Sequence, residues 1–544
     1  MSISVEAYQA LEDIVGPENI SEEPAILDSY AFQMWAEFRQ NGSKFMPRAG
    51  AVVLPGSTEE VQAVVKTCNR YKLKYKAHST GWGLFGAPLV ENAIQLDMRR
   101  MDRILEIDEQ NMFAVIEPYV IGATLQAEAM KVGLNAHIIG AGASCSPLAA
   151  ATSFQGAGPD SIFMGTAPEN LLAAEWVMPT GDLLRTGSLG SGLGWFSGDG
   201  LGPSLRGIFK GVIGACGGLG VFTKVAVKLY PWPGPAVMPI EGTVPAYTTR
   251  LPENIRAHTL AWSTWQGYAD AVYKIYNNDI GYITHRQFIM FGDELQAAIL
   301  KILTDTTKTL NDLEELLKKP EIQKLSEEMR RSFQIVLAGM TPRDIEYQEK
   351  VLDQILSETD GWKVAAMEEP TMAGWSLLYM IKLCFKSLNY VYAGGFFDAM
   401  SRAGTPDLVA SGWMEELREQ KRKFGKQGGI VDDGGDAGMG GISTTGGGAY
   451  HGFENFILYD PSDAESVEAA RACNADAGHV TAEAGPGGYN FFFIEKERLQ
   501  ALLAEQARPA IFRWQRKIKE AFDPNEVGDG SYLYLGEQEN RSGE

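Results

Sequence analysis

Apolar and polar positions between residues 51 and 78 follow a pattern that predicts a strand, a helix and a second strand. After the short apolar run AVVLPG, apolar residues recur at i, i+3, i+4 and i+7, at Val61, Val64, Val65 and Cys68. That spacing is typical of an amphipathic helix that packs on a sheet. Ser57 and Glu60 form the S-x-x-E pattern of a capping box and predict where the helix begins. The run KLKYKAH then predicts the second strand.

A mixed pattern of strands and helices continues to residue 235. AIQLDM and FAVIEPYV predict strands, and GATLQAEAMKVGL predicts a helix that ends at Gly133. LLAAEWVMPTGDLLRTG predicts a hairpin around Thr180 and Gly181. Prolines at positions 231, 233 and 235 then interrupt the pattern, and we expect the first domain boundary near residue 235.

Residues 236 to about 480 show a different pattern, with mixed strands followed by long charged helices. In RDIEYQEKVLDQILSETDGW, the residues Ile345, Leu352 and Ile355 lie on one side of the predicted helix. The stretch 425–452 is dense in glycine, which favours a connecting loop. ARPAIFRWQRKIKEAF predicts a last helix, and DPNEVGDG follows it.

Composition and charge narrow the class of protein. The chain has 544 residues, of which 45% are hydrophobic and 22% charged, as in a globular protein of two or three folding units. A net charge of -21 argues against nucleic acid as a partner. An anionic cofactor would therefore have to be held by local backbone dipoles. No apolar run is long enough to span a membrane and no leader pattern is visible, so we expect a soluble, cytoplasmic protein.

The five cysteines are scattered and never spaced as C-x-x-C, at Cys68, Cys145, Cys216, Cys384 and Cys473. This pattern argues against a disulfide framework and against zinc or iron–sulfur sites. Buried free thiols are the expectation, and we predict no metal ion.

A glycine-rich loop, AHSTGWGLFGAP, follows the second predicted strand and contains Gly81, Gly83 and Gly86. It lacks the GK[ST] ending of a P-loop. A Rossmann site also fits poorly, because a turn and a strand follow where a helix should begin under the pyrophosphate. The remaining interpretation is an anion held by loop backbone alone, since glycine permits a positive φ and a close approach of successive amides.

An ordered series of motifs resembles the FAD-binding domain of the vanillyl-alcohol oxidase and p-cresol methylhydroxylase (PCMH) superfamily. The motifs are PRAGAVVLPGSTEEVQAVVKTCNRYKLKYKAHSTGWGLFG, DRILEIDEQNMFAVIEPYVIGATLQAEA and GPSLRGIFKGVIGACGGLGVFTKVAVKLYP, over about residues 45 to 235. AGPGGYNFFF and AFDPNEVG resemble the closing segments of that family. The resemblance implies an α+β fold with a PCMH-type FAD-binding domain of two α+β subdomains. It also implies an α+β cap domain whose antiparallel sheet is flanked by helices.

The resemblance also implies a division of the chain and a set of FAD contacts. The FAD-binding domain would span residues 1–235, the cap domain 236–484, and a C-terminal segment 485–544 would return to the FAD domain. The implied contacts are Ser79, Thr80, Gly81, Trp82, Gly83, Leu84, Pro147, Thr152, Ser153, Gly156, Gly158, Gly218, Gly220, Val221 and Asn525.

FAD is expected to bind without a covalent bond. The branch that links flavin through a histidine in the glycine loop has that residue where this chain carries Trp82 or Gly83. Attachment through the second domain stays open at Tyr390, Tyr392 and His451.

Two branches of the superfamily compete for the substrate. The glycolate and D-lactate dehydrogenase-like branch shows an HxGDGNxH metal pattern, whereas this chain reads GGGAYHGFENFILYDP. The phenol-oxidising branch fits the layout better, although Asn490 stands where an arginine is expected and Phe85 stands near the place of a tyrosine. A neutral amide cannot stabilise a phenolate as a guanidinium does. We expect Tyr489 and Asn490 to orient the substrate, with His451 or Glu483 as the base.

The predicted function is an FAD-dependent oxidoreductase that takes a hydride from a C–H bond next to an oxygen or an aromatic ring, in an aromatic alcohol or alkylphenol-like compound. A 2-hydroxy-acid dehydrogenase, or the flavin subunit of a larger complex that passes electrons to a redox protein partner, stays an alternative. A reductase fed by NAD(P)H is disfavoured because no nicotinamide-binding Rossmann motif is visible. Similar proteins imply a homo-oligomer or a complex.

Overall fold

Parallel strand pairs distinguish the first sheet of the protein. A computed structural model describes residues 3–31, 46–81, 86–140, 142–153, 156–210, 214–243, 246–286, 309–382, 396–404, 406–430, 440–445, 448–460, 462–483 and 509–529. The first sheet has the order β1-β2-β4-β3 and is formed by Ile20–Ser21 (β1), Ala51–Val53 (β2), Tyr75–His78 (β3) and Ile94–Asp97 (β4). Strands β2 and β3 both run parallel to β4, and β1 is antiparallel to β2.

Helices connect and flank the strands of the N-terminal region. In the N-terminal region they are Val5–Val15 (α1), Pro24–Ala31 (α2), Thr58–Tyr71 (α3), Gly122–Lys131 (α4), Pro147–Ser153 (α5), Ser161–Met164 (α6), Ala167–Asn170 (α7), Gly187–Gly190 (α8) and Arg206–Phe209 (α9). Helix α3 joins β2 to β3 and buries the predicted apolar stripe completely. Ser57 Oγ accepts from the backbone N–H of Glu60 at 3.2 Å, as the capping pattern predicts. The Glu60 carboxylate accepts from the N–H of Gly56 instead, at 2.7 Å.

An antiparallel sheet follows, with the order β5-β6-β10-β8-β9 and with β7 paired to β10. Its strands are Ile104–Asp108 (β5), Phe113–Ile116 (β6), Leu134–Ala136 (β7), Leu171–Val177 (β8), Leu183–Arg185 (β9) and Val221–Pro231 (β10). The predicted hairpin is present between β8 and β9, where Gly181 has a φ of 86°. These two sheets with their helices confirm the predicted α+β architecture of the N-terminal region.

The second region contains antiparallel sheets flanked by helices. Glu241–Thr243 (β11) pairs with Ala246–Thr248 (β12), and a further sheet has the order β14-β15-β13-β16. The strands of that sheet are Ile255–Trp262 (β13), Ile283–His285 (β14), Ser332–Ala338 (β15) and Gly361–Lys363 (β16). The last sheet has the order β17-β19-β18 and consists of Phe396–Gly404 (β17), Gly440–Thr445 (β18) and Gly448–Leu458 (β19). This layout confirms the expected α+β class of the second region, with antiparallel sheets flanked by helices.

The helices of this region are Trp265–Asn277 (α10), Leu310–Leu317 (α11), Pro320–Met329 (α12), Pro342–Glu358 (α13), Pro370–Lys382 (α14), Pro406–Ala410 (α15), Trp413–Gln427 (α16) and Ala464–Glu483 (α17). Helix α13 buries Ile345, Leu352 and Ile355, as its pattern predicts. None of the helices in the described ranges is long and apolar enough to cross a bilayer.

The expectation of a connecting loop across 425–452 is wrong for part of that stretch. Residues 440–445 form β18, and residues from 448 onward form β19. Gly441 stands opposite Gly452 in the antiparallel register, and Ile442 stands opposite His451. Glycine weakens a strand but does not prevent one, because the backbone hydrogen bonds come from the neighbouring strand. The other partner of β19 is β17, which lies in an earlier, separate stretch of the chain and therefore leaves no local signal.

The last described segment packs on the N-terminal region. Helix Pro509–Phe522 (α18) stacks Phe522 on Trp176, with ring centroids 5.6 Å apart. Beyond it, Val527 is buried in the core of the first sheet. The N–H of Tyr75 donates to the carbonyl of Val527, and the N–H of Asp529 donates to the carbonyl of Tyr75, each at 2.8 Å. The division into 1–235, 236–484 and 485–544 stays a prediction.

Candidate functional site

Hydrogen bonds connect the two ends of the first glycine loop, AHSTGWGLFGAP. The described part of the loop ends at Gly81, whose φ is 77° and where a Cβ atom would lie 3.1 Å from the His78 ring. His78 Nδ1 and Gln95 Nε2 both donate to the carbonyl of Gly86, at 3.2 Å and 3.0 Å. Burial lowers the pKa of His78. The predicted contacts Trp82, Gly83 and Leu84, together with Phe85, lie outside the described residues.

One backbone carbonyl joins this loop to helix α5. Ser79 Oγ and Ser146 Oγ both donate to the carbonyl of Pro118, at 2.5 Å and 2.6 Å. Ser146 Oγ also accepts from the N–H of Ala149, in the first turn of α5. The predicted contacts Ser79 and Pro147 are therefore held in neighbouring segments, although they are far apart in sequence.

The end of α5 is bonded to a second glycine turn, residues 214–220. The N–H of Ala215 donates to the carbonyl of Thr152 at 2.9 Å, and the N–H of Gly214 donates to the carbonyl of Ser153 at 3.2 Å. The turn has positive φ angles at Cys216 (44°), Gly217 (79°) and Gly220 (108°). The structure thus brings together the predicted contacts Thr152, Ser153, Gly218, Gly220 and Val221.

Glycine is required at position 220 of this turn. A Cβ atom there would lie 2.2 Å from the carbonyl oxygen of Val177, which is far below any contact that real Cβ atoms make. The positive φ disfavours other residues independently. Successive residues at positive φ turn their amides toward a common side, a geometry that suits an anion.

Lysine side chains hold the carbonyls of the same turn. Lys76, fully buried on β3, donates to the carbonyls of Asp529 at 3.0 Å and Cys216 at 3.4 Å. Lys519 on α18 donates to the carbonyls of Gly218 and of Gly528, the latter at 3.0 Å, and pairs with Asp523 at 2.5 Å. Burial lowers the pKa of both lysines, and it raises the pKa of the buried Asp529.

Sequence reasoning missed both lysines. Lys76 had a local signal, because it is a charged residue between Tyr75 and Ala77 in a strand whose neighbours are apolar. Lys519 had none, since α18 carries several basic residues and only the fold shows which one points inward.

The third predicted glycine segment, Gly156 and Gly158, packs tightly against the chain after β7. A Cβ atom at Gly158 would lie 1.9 Å from the carbonyl oxygen of Ile138, and one at Gly156 would lie 2.3 Å from a methyl group of Ile139. Packing within the protein is therefore sufficient to explain both glycines. A pocket lies beside this segment, lined in part by His137, Pro147, Asn170 and Lys228.

Only some of the remaining predicted site residues lie within the described ranges. His451 lies on β19 opposite Gly404 and Ile442, and Glu483 is the last residue of α17; only their backbone is described. Tyr489 and Asn490 lie outside the described residues. Asn525 is exposed and donates to Asn69 on α3 at 2.7 Å. In the described ranges, no three His, Cys, Asp or Glu side chains are arranged to hold a metal ion.

The geometry of these segments fits a dinucleotide cofactor with a charged diphosphate. Turns with positive φ, small residues and buried cations behind the backbone suit an anionic ligand in a chain of net charge -21. Residues 49–187 match a family model described as an FAD binding domain. This range includes the first glycine loop, helix α5 and the segment at Gly156 and Gly158.

Relatives with curated descriptions match part of the chain. An uncharacterised FAD-linked oxidoreductase of Mycobacterium tuberculosis is 30% identical over 220 residues, which are 40% of this chain and 44% of that protein. A glycolate oxidase subunit of Bacillus subtilis is 26% identical over 232 residues, which are 42% of this chain and 46% of that subunit. The chain thus matches less than half the length of these relatives.

A solved structure extends the likeness to the whole fold. p-Cresol methylhydroxylase with substrate bound is similar over 97% of this chain and 96% of its own, with a TM-score of 0.73 and 18% sequence identity. At that identity the likeness establishes the fold. Residues 49–187 therefore correspond to an FAD binding domain, with FAD as the cofactor, in a chain that has the fold of p-cresol methylhydroxylase.

Proposed function

We propose that this protein removes a hydride from a C–H bond next to an oxygen or an aromatic ring in an aromatic alcohol or an alkylphenol-like compound. The observation that carries the proposal is the likeness to p-cresol methylhydroxylase, which includes the second region as well as the FAD-binding part and covers 97% of this chain. The proposal assigns the second region the role of substrate domain, as the family resemblance of the sequence implies. The fold of that region is therefore the best guide to substrate class.

The cofactor would be held mainly by backbone. Among the described residues, the proposed contacts are Ser79, Thr80 and Gly81 of the first loop and Gly218 and Gly220 of the second turn; Gly81 and Gly220 have positive φ angles. Lys76 and Lys519 would stabilise the second turn through its carbonyls. Bound FAD supplies a hydride acceptor, so the protein itself has to position the substrate and move a proton.

Substrate orientation is assigned to Tyr489 and Asn490, and the proton to His451 or Glu483. His451 has the better support, because β19 pairs with β18 at Ile442 and β18 contacts α6, which follows the proposed FAD contact Gly158. The residue therefore lies on a strand next to the one that meets the FAD-binding part. As a base, the imidazole would accept the proton of a substrate hydroxyl while the neighbouring carbon loses its hydride. Binding of FAD without a covalent bond remains part of the proposal.

A 2-hydroxy acid is the alternative substrate class, supported by the likeness to a glycolate oxidase subunit. The same relative supports a role as the flavin subunit of a complex that passes electrons to a redox protein partner. The aromatic class is preferred because that likeness covers only 42% of the chain.

Anaerobic reduction of the purified flavoprotein tests the proposal. The flavin absorbance is followed against aromatic alcohols, alkylphenols and 2-hydroxy acids, with FAD-saturated protein and no substrate as the control. Bleaching by an aromatic alcohol or alkylphenol is the expected result, and bleaching only by 2-hydroxy acids would contradict it. Admitting air then identifies the acceptor, because an oxidase recovers its colour and a dehydrogenase stays bleached until a dye or partner protein is added.

A further inference from the structure

A histidine with both ring nitrogens bonded lies buried between β7 and the glycine segment 156–160. His137 follows β7 and is 7% exposed. Its Nδ1 lies 2.5 Å from Asp160 Oδ1, and its Nε2 lies 2.8 Å from the carbonyl oxygen of Gly156. The other carboxylate oxygen of Asp160 accepts from the N–H of Ile138 at 2.7 Å.

These partners define the protonation state of the ring. A carbonyl oxygen can only accept, so Nε2 must carry a proton. The carboxylate of Asp160 accepts a backbone N–H on its second oxygen, which favours its ionised form. With Asp160 ionised, Nδ1 must donate as well, and His137 is then an imidazolium ion paired with a buried carboxylate.

The His137–Asp160 pair links two segments, residues 137–140 and 156–160, that are also joined by backbone hydrogen bonds and close packing. Residues 137–140 are bonded to residues 156–160 through His137, through Ile138, and through the N–H of Gly140, which donates to the carbonyl of Ala157 at 2.7 Å. Ile138 and Ile139 fill the spaces where side chains would stand at Gly158 and Gly156. The N–H of Thr284 on β14 donates to the carbonyl of Pro159 at 2.8 Å, so the same turn is also bonded to a strand of the second region.

We propose that His137 is a positioning residue for the cofactor, which as an imidazolium ion paired with Asp160 holds the 156–160 turn in the shape that FAD requires. The proposal rests on the proposed FAD contacts at Gly156 and Gly158. It predicts that FAD affinity depends on the protonation of a histidine that does not itself belong to the catalytic set.

Several charged or titratable groups surround the pair. Asp160 raises the pKa of His137 above its ordinary value, although burial acts to lower it, and Glu169 on α7 adds a smaller effect in the same direction as Asp160. Lys228 on β10 lines the same pocket. Tyr230 and Tyr282 lie near Asp160, and burial raises the pKa of both phenols, so they are neutral in the range where His137 titrates.

The direction of the pH effect follows from the raised pKa of His137. A histidine whose pKa is higher in the folded state stabilises that state at low pH, and the contribution is lost as the pH rises through the folded value. Because FAD is proposed to bind the turn that the imidazolium form holds, FAD binding and the protonation of His137 favour each other. FAD affinity should then be constant in mildly acidic solution and should weaken as the pH rises.

The test uses apo-protein, added FAD and the variant His137→Gln. The FAD dissociation constant is measured by flavin fluorescence from about pH 6 to about pH 10, with His258→Gln as the matched control. His258 is also a buried histidine between carboxylates, at 2.8 Å from Glu368 and 3.1 Å from Glu349, but it lies on β13 of the second region. We expect H137Q to bind FAD about tenfold more weakly near neutral pH, with a flatter pH profile than the wild type, and H258Q to match the wild type.

A spectroscopic measurement keeps the proposal testable if H137Q does not fold. In ¹⁵N-labelled wild-type protein, both ring nitrogens of His137 should give the signals of protonated nitrogen near neutral pH. The variant Asp160→Asn removes the negative partner and should shift the loss of FAD affinity to lower pH. A neutral ring in the wild type, or wild-type affinity and pH profile in H137Q, would overturn the proposal. Because no substrate is needed, this test can fail while the proposed function stands.

Discussion

Replacing Lys519 with methionine is expected to destabilise the FAD-binding part and to weaken FAD binding. The ammonium group bonds the carbonyls of Gly218 and Gly528 and the carboxylate of Asp523, which joins α18 to the second glycine turn across 301 positions of sequence. The side chain of Lys519 is 13% exposed and that of Asp523 is 1% exposed. The substitution therefore leaves buried acceptors without their donor.

The loss of unfolding free energy depends on the hydrogen bonds that Asp523 keeps after Lys519 is replaced. Removing one member of a buried ion pair costs about 3–5 kcal/mol. Asp523 keeps the backbone N–H groups of Val527 and Gly528, each at 2.9 Å, so its charge is still partly compensated. Methionine also preserves most of the packing of the lysine stem. The loss should therefore lie near the low end, at about 3 kcal/mol in the free energy of unfolding.

Urea denaturation of the apo-protein and a flavin fluorescence titration measure the two effects. Lys517→Met is the control, because it removes the same charge from an exposed position on the same helix, where the ammonium lies 4.7 Å from the Trp514 ring. An exposed contact of that kind contributes about 0.5–1 kcal/mol. Adding Asp523→Asn to K519M should recover part of the loss, since it neutralises the carboxylate left unpaired. If K519M and K517M differ by less than about 0.5 kcal/mol, the reasoning is refuted.

Further predictions concern backbone strain, acid stability, turnover and the flavin link. Gly220→Ala should cost about 3 kcal/mol or more of unfolding free energy, because its Cβ would lie 2.2 Å from the Val177 carbonyl oxygen. The control Gly192→Ala, at a positive φ in open space, should cost about 1 kcal/mol. Equal losses of the two variants in chemical denaturation would contradict this. Burial lowers the pKa of His285 to about 3, and its Nε2 bonds to nothing in the described part of the chain. Protonation of the unfolded chain then reduces stability as the pH falls below about 6.5, so His285→Met should recover about 2 kcal/mol at about pH 5 relative to neutral pH, and an unchanged pH profile of unfolding would count against it. Tyr489→Phe should lower kcat while FAD stays bound, and an unchanged kcat would remove Tyr489 from the mechanism. Acid precipitation should leave the yellow colour in the supernatant, whereas a yellow pellet would show a covalent link.

Local structure was predictable because its causes lie within a few residues of each other. The capping residue Ser57 and the apolar stripe of α3 are separated by single helical turns, and both occur as predicted. Gly133 and Gly181 take positive φ at the helix end and the hairpin where the sequence expects them. The ordered motifs around the glycine loop were enough to identify the fold class and FAD.

The sequence predicted that glycine-rich backbone forms the candidate site, but it did not predict which side chains hold that backbone in place. Gly218 and Gly220 were expected to meet FAD as bare backbone, but the cations that hold their turn come from β3 and from α18. Gly158 was expected as a ligand contact, and the structure shows a close approach to Ile138 that explains it from within the protein.

What the sequence determined by itself is therefore the set of helices, strands and turns whose signals repeat over three to seven residues, together with the cofactor class that the ordered motifs carry. The tertiary structure alone decided which distant groups meet. Lys76 bonds Asp529 across 453 positions, and β19 pairs with β17, which lies in a separate stretch of the chain. A contact of that kind depends on how the whole chain packs, and neither of its members carries a local pattern that names the other.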